Sequence, residues 1–195
     1  MKIVKSHLIA FTLILLSISG VSSCTEHYST KINLNAEYMA FISNARTKSE
    51  IFAFRRLLVK NNLANLVDIK QLLRQGTDWK KIREPAYALP PRKFWPRILR
   101  TLTVLKKEII PVLGEIEVLS GFRTTRYNRR AKGTRSSKHL VFAALDIKPK
   151  DKITRRELHK RLLEIWRTKG RRYQLGLGLY SGTRFHIDTA RYRKW

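Results

Sequence analysis

Between Ala36 and Gln75 apolar side chains recur at helical intervals, with Phe52, Leu57, Leu58, Leu63, Leu66, Ile69, Leu72 and Leu73 forming a stripe that Asn61-Asn62 interrupts. The pattern predicts two short helices whose stripe is core. Gly76-Thr77-Asp78-Trp79 ends the second helix, and Pro85 to Pro91 is a loop because its prolines forbid continued helix. Beyond it the order reads helix, strands, helix, strands. Pro96 is placed to open a helix through Ile98, Leu102, Leu105 and Ile109, with Pro111 and Gly114 near its end. Ile116 and Val118 alternate with Glu115 and Glu117 as in a half-buried strand, and Val141 to Ile147 is short and apolar enough for a central one. Thr154-Arg155-Arg156-Glu157 has capping-box spacing ahead of Leu158, Leu162, Ile165 and Trp166, which predicts an amphipathic helix ending at Gly170. Tyr173 to Tyr180 and Arg184 to Ala190 flank a hairpin turn at Ser181-Gly182. This order predicts an α+β fold built on an antiparallel sheet with helices on one face.

The first 23 residues follow a different logic. A basic start, Met1 to Lys5, precedes an apolar run from Leu8 to Ile18 and small residues at Gly20-Val21-Ser22-Ser23. The run is short for a bilayer span, so it reads as a signal peptide. The sole cysteine, Cys24, stands where cleavage is expected, and Val21-Ser22-Ser23-Cys24 resembles a bacterial lipobox, which makes Cys24 the lipidation candidate. Thr25 to Asn35 is polar and aperiodic. The expected organisation is therefore signal peptide 1–23, tether 24–35, helical extension 36–92 packed on the domain, and catalytic domain 93–195. The expected location is outside the cytoplasm, on a membrane-anchored lipoprotein facing the periplasm or cell wall.

Charge narrows the partners. Loss of Lys2 and Lys5 with the signal peptide takes the formal charge from +27 to +25. In a cytosolic protein that balance suggests nucleic acid. In an exported one the polyanions within reach are cell-wall polymers, anionic lipid head groups and carboxylate-bearing stem peptides. Basic residues are spread from Arg97 to Arg172, with no zinc finger, RNP-like motif or basic zipper, so no nucleic-acid partner is expected.

The candidate chemistry lies in His139, Asp146 and His186. Two neutral imidazoles and one carboxylate form a three-ligand zinc set with a fourth position open, the layout of a hydrolytic site. A closed structural site is disfavoured by the single cysteine. His139 and Asp146 can turn inward together only if the chain between them bends or bulges. In Phe185-His186-Ile187-Asp188 the second and fourth side chains share one strand face, so Asp188 either orients a ligand imidazole or binds the attacking water; orientation is the commoner arrangement. His7 and His27 fall in the leader and tether, and His159 is expected exposed on its helix. Trp79, Trp95, Trp166 and Trp195 read as core or edge packing.

Taken in order, Ser120-Gly121-Phe122-Arg123-Thr124, Tyr127-Asn128, Ser137-Lys138-His139 with Ala144 and Asp146, Gly176-Leu177-Gly178-Leu179-Tyr180 and Phe185-His186-Ile187-Asp188 resemble the zinc D-Ala-D-Ala carboxypeptidase family. That family also holds peptidoglycan endopeptidases and shares its fold with the hedgehog signalling domain. The resemblance covers roughly Trp95 to Trp195. It implies Zn2+ on His139, Asp146 and His186, with Arg123 and Ser137 holding the substrate carboxylate and Asn128 helping to shape the pocket. A guanidinium fork beside a hydroxyl suits that task.

The sequence departs from the family pattern in two respects. The family's acid three residues before the last histidine, or histidine two before it, is replaced by Thr183 and Arg184, leaving Asp188 as the nearest acid, with Glu157 or Glu164 as groups that three dimensions could bring close. A metal can itself lower the pKa of a water to about 7, which reduces the demand on a base. Phe142 replaces the usual glycine, and its ring is expected to narrow the site or shift the His139 loop. The functional expectation is a zinc peptidase of peptidoglycan stem peptides, carboxypeptidase-like. A crosslink-cleaving D,D- or L,D-endopeptidase and a catalytically weak wall-binding protein remain the alternatives.

Overall fold

The structure, a computed structural model, describes residues 34–195, which form one compact unit. The expected signal peptide, Cys24 and all but the last two positions of the tether lie outside the described residues. Among the described residues, no helix is long and apolar enough to cross a membrane.

Helix α1 (34–43) is followed by α2 (Ala45–Lys60), whose N-cap Asn44 accepts from the Thr47 amide at 3.1 Å. α2 buries Ile51, Phe54 and Leu58 along one stripe. It stops where the asparagine pair predicts, at Asn61 with Asn62 left-handed (φ 58°). α3 (Ile69–Leu73) is capped by Asp68. α4 (Trp95–Val104) opens with Pro96 in its first turn and passes without a break through a π-helical turn (Leu105–Ile109) into α5 (Ile110–Leu113). Pro111 has no N–H to donate into the helix, and a widened turn just before it accommodates its ring.

The strands are β1 (Ile116–Ser120), β2 (Ala144–Pro149), β3 (Gly176–Leu179), β4 (Phe185–Asp188) and β5 (Arg193–Lys194), in spatial order β1-β2-β4-β3-β5. β1–β2, β2–β4 and β3–β4 are antiparallel, but β5 pairs with β3 in parallel. The sheet is therefore mixed rather than wholly antiparallel. The chain reverses at Ala190 to Tyr192 and brings its last residues back beside β3. α6 (Thr125–Arg130) and a 3-10 turn (Lys138–Val141) fill the β1–β2 connection, and α7 (Arg155–Tyr173) joins β2 to β3.

Alternation sorts the sheet into two faces. Val118, Leu145, Ile147, Leu177, Phe185 and Ile187 join one core with Phe54 and Leu58 of α2, Ile98 and Leu102 of α4, and Leu158, Leu162 and Ile165 of α7. Burying a side chain of this size stabilises by about 1.5–3 kcal/mol. This core includes residues from the expected N-terminal extension as well as the catalytic part. The intervening sheet positions, Asp146, His186 and Asp188, point to the other face.

Two boundaries differ from expectation. Gly170 lies inside α7, which runs on to Tyr173 and ends at left-handed Gln174 (φ 52°). A Cβ at Gly170 would come within 2.7 Å of the Tyr192 ring, which stacks on Trp166 at 4.5 Å between centroids. The glycine makes room for Tyr192 instead of stopping the helix. Val141 likewise ends the 3-10 turn and does not start the strand, because Phe142 is left-handed and β2 begins only at Ala144.

Candidate metal centre

Register brings the polar residues together. Asp146 on β2 stands opposite His186 on β4, Ser120 of β1 is on its other side, and Gly178 of β3 lies beyond His186, so the four form one row across the sheet. His139 reaches this row from the 3-10 turn. The bend required between His139 and Asp146 is that turn followed by the left-handed Phe142, with the Ala143 amide bonded to Lys138 O at 3.0 Å. All three side chains are buried, and their nearest donor atoms lie within 4.8 Å of one another.

Hydrogen bonds decide which atoms face inward. His139 Nδ1 is 2.7 Å from Gly121 O, and a carbonyl only accepts, so Nδ1 carries the proton. His139 Nε2 is then a lone pair, buried and without a hydrogen-bond partner, 3.3 Å from Asp146 Oδ1. His186 Nδ1 lies 3.0 Å from the same oxygen, and its Nε2 lies 3.1 Å from Asp188 Oδ2. An orphaned imidazole nitrogen, a second imidazole nitrogen and a carboxylate oxygen converge. That donor set fits Zn2+.

The surroundings tune these groups. Burial pushes the pKa of His139 down, which keeps it neutral. Burial opposes ionisation of Asp146, yet the two adjacent histidines outweigh it and hold its carboxyl well below the usual range. His186 is also penalised by burial, but its bonds to Asp146 and Asp188 raise its pKa overall.

Arg123 sits at the edge of the cluster. Its Nη2 bonds Asp146 Oδ2, and its Nε bonds Ser120 Oγ at 2.9 Å and Gln75 O at 3.0 Å. Gln75 is itself fixed: its side chain accepts from Thr124 N and Oγ1, both at 2.9 Å, and donates to Pro85 O at 2.8 Å. Sequence reasoning did not single out Gln75, because a lone glutamine at a helix end carries no periodic or motif signal.

The site opens into a cleft of about 680 Å³. Arg123, Ser137, His139, His186, Tyr180 and Trp195 are among the residues lining it. Asn128 lies one layer behind: it is buried on α6 and donates to Thr134 O at 2.9 Å, so it shapes the cleft by holding the loop that borders it. Asp188 is buried behind His186, where Arg193 Nη2 bonds it at 2.7 Å. Glu157 pairs with Arg161 on the outer face of α7, and neither it nor Glu164 lines the cleft. In the sequence Tyr180 carries no signal beyond its place in Gly176-Leu177-Gly178-Leu179-Tyr180. Its hydroxyl lies 3.3 Å from Asp146 Oδ1, and burial together with that charge raises its pKa, so it remains a donor.

Three expectations are corrected by these positions. The Phe142 ring does not narrow the site; it is fully buried in the core, with ring centroids 5.7 Å from Phe54 and 6.1 Å from Phe122. Its backbone adopts the left-handed conformation that a glycine takes without strain. Trp195 is not packing alone. Half-exposed, it lines the cleft with its ring 5.2 Å from that of His186, and it lies so close over Gly178 that a Cβ there would approach it to 2.8 Å. His159 is half-buried rather than exposed, and lies outside the cleft.

A model of the Peptidase M15 family matches residues 66–188. The match takes in Gln75, Arg123 and the three clustered side chains, and begins ahead of the Trp95 boundary expected from motifs. No curated protein and no solved structure matches the chain.

Proposed function

The chain belongs to the Peptidase M15 family of zinc-dependent metallopeptidases acting on peptidoglycan, and from that premise we propose that it is a D,D-carboxypeptidase trimming D-alanine from stem peptides. His139, Asp146 and His186 are the zinc ligands. The observation that carries this is the convergence of His139 Nε2, Asp146 Oδ1 and His186 Nδ1 at the base of the cleft. Zinc, when bound, supplies a Lewis acid that polarises the scissile carbonyl and lowers the pKa of a water.

The chain's own groups do the positioning. Gly121 O holds the His139 tautomer, and Asp188 holds that of His186. Arg123, pinned through Nε and Nη2, keeps Nη1 without a protein partner among the described residues, and with Ser137 it anchors the D-amino-acid carboxylate. Among the described residues the acids nearest the cleft are Asp146, bonded by Arg123, and Asp188, buried behind His186. Tyr180, which keeps its proton, serves only as a hydrogen-bond donor.

Cleft size favours a second reading. About 680 Å³ is more than a terminal dipeptide fills, which suits an endopeptidase acting on a crosslink. The proposal extends to location: the apolar leader and Cys24 support an exported, lipid-anchored enzyme, and the net charge supports attraction to an anionic wall or membrane surface.

The test is zinc content and turnover of the purified protein on defined muropeptides with D-Ala-D-Ala ends or crosslinks, with and without chelator. About one zinc per chain with chelator-sensitive release of D-alanine supports the carboxypeptidase. Release of uncrosslinked monomers supports the endopeptidase. Wall binding with zinc but no turnover moves the assignment to a binding module.

A further inference from the structure

The charges around the cleft do not balance. Five cationic side chains line it: Arg123, Lys132, Lys138, Arg191 and Arg193. Two of them are neutralised by the acids beneath the cleft, Arg123 by Asp146 and Arg193 by Asp188. Lys132, Lys138 and Arg191 have no carboxylate within ion-pairing distance among the described residues. They come from separate segments. Lys132 and Lys138 border the loop between α6 and His139, and Arg191 lies on the reversal after β4. The excess is therefore a property of the assembled cleft, and not of one basic run.

Lys132 is also costly where it stands. It follows the C-cap of α6 with φ 55°, the left-handed position that helices usually give to glycine. A lysine there strains the backbone and gains no ion pair in return. Its side chain does supply a cation at the border of the cleft.

We propose that this site selects peptides bringing at least two carboxylates to it, one engaged at Arg123 and another by Lys132, Lys138 and Arg191. The substrate class is a stem peptide whose branch carboxylates are free rather than amidated. This rests on the peptidase reading and deepens it. Like charges lining a concave site attract an anion more strongly than the same charges on a flat surface, and salt screens that attraction, most of all at the exposed Lys132 and Arg191.

The experiment compares kcat/KM for two stem peptides that differ only in whether the branch carboxylates are free or amidated, using zinc-loaded full-length protein. The free acid is expected to be preferred by about tenfold at low salt. The two rates should converge in a Lys132→Gln/Arg191→Gln variant and at high salt. Equal rates in the wild type overturn the proposal, and a ratio unchanged in the double variant overturns the assignment to these residues. Lys132→Gly separates structure from selection. Relief of the left-handed strain should raise Tm while the preference falls, whereas a lysine with only a structural role would leave the ratio unmoved. If neither peptide is cleaved, the peptidase reading fails, and calorimetric binding of the same two peptides decides this one. Tighter binding of the free acid sustains it, and equal binding overturns it.

Discussion

His186 Nε2 lies 3.1 Å from Asp188 Oδ2 while its Nδ1 lies 3.0 Å from Asp146 Oδ1, so each ring nitrogen faces a carboxylate. Burial disfavours the charged form of Asp188, but its bonds from His186 and Arg193 outweigh that and bring its pKa down to about 2. The carboxylate is thus ionised across the physiological range and keeps the proton on Nε2. Asp188→Asn preserves shape and one acceptor while removing the charge. Zinc affinity should fall by roughly 10- to 100-fold, read by competition with a chromophoric chelator. An unchanged affinity would remove Asp188 from any role in holding His186.

The candidate ligand trio was legible in the sequence because His139, Asp146 and His186 each stand among neighbours that resemble the zinc D-Ala-D-Ala carboxypeptidase motifs, and because a two-histidine, one-carboxylate set suits an open zinc site. The path between His139 and Asp146 was less so. A left-handed phenylalanine is not encoded by hydrophobic periodicity, so Val141 read as the start of a strand. Gly170 misled for the opposite reason, since its smallness serves a tertiary contact with Tyr192 that local sequence cannot reveal. Gln75 and Trp195 act through the backbone or ring positions that folding gives them. Nothing in their sequence neighbours marks either one.

Phe142 sets two energies against each other. The left-handed backbone costs about 1–2 kcal/mol for a residue with a Cβ, while truncating a buried phenyl costs about 3–5 kcal/mol. Burial wins, which accounts for a bulky side chain at a position suited to glycine. Phe142→Gly should therefore destabilise by about 1–4 kcal/mol and Phe142→Ala by about 1–2 kcal/mol more, since alanine loses the packing and keeps the strain. Urea unfolding measures both. A glycine variant as stable as the wild type would mean that the ring contributes little to the core.

Arg123 is held at three points, by Gln75 O, Ser120 Oγ and Asp146. A lysine has a single terminal nitrogen and cannot reproduce the Nε and Nη2 bonds while also reaching the substrate. Arg123→Lys should lower kcat/KM by roughly 100-fold, the scale of mispositioning a bound substrate by about 1 Å, with zinc content still about one per chain. Metal analysis alongside the assay separates the alternatives. Loss of zinc together with turnover would show that Arg123 serves mainly to hold Asp146.

As a zinc ligand through Nδ1, His186 would have to give up a proton, so metal binding should strengthen as pH rises. Its pKa is raised in the metal-free fold by the bonds to Asp146 and Asp188. The protonated imidazole therefore stabilises the metal-free protein below the unfolded value of about 6.5, and that contribution is lost as pH rises through the higher folded value. Zinc requires the neutral imidazole, so its binding strengthens over the same interval. The difference in Tm between zinc-loaded and chelator-treated protein should then be small near pH 5.5 and grow toward pH 8. There, free zinc at 100 times its dissociation constant adds about 2.7 kcal/mol. Calorimetric scans at several pH values give the comparison. A zinc-dependent shift of constant size across that range would show that His186 gives up no proton when the metal binds, and would argue against its Nδ1 as a ligand.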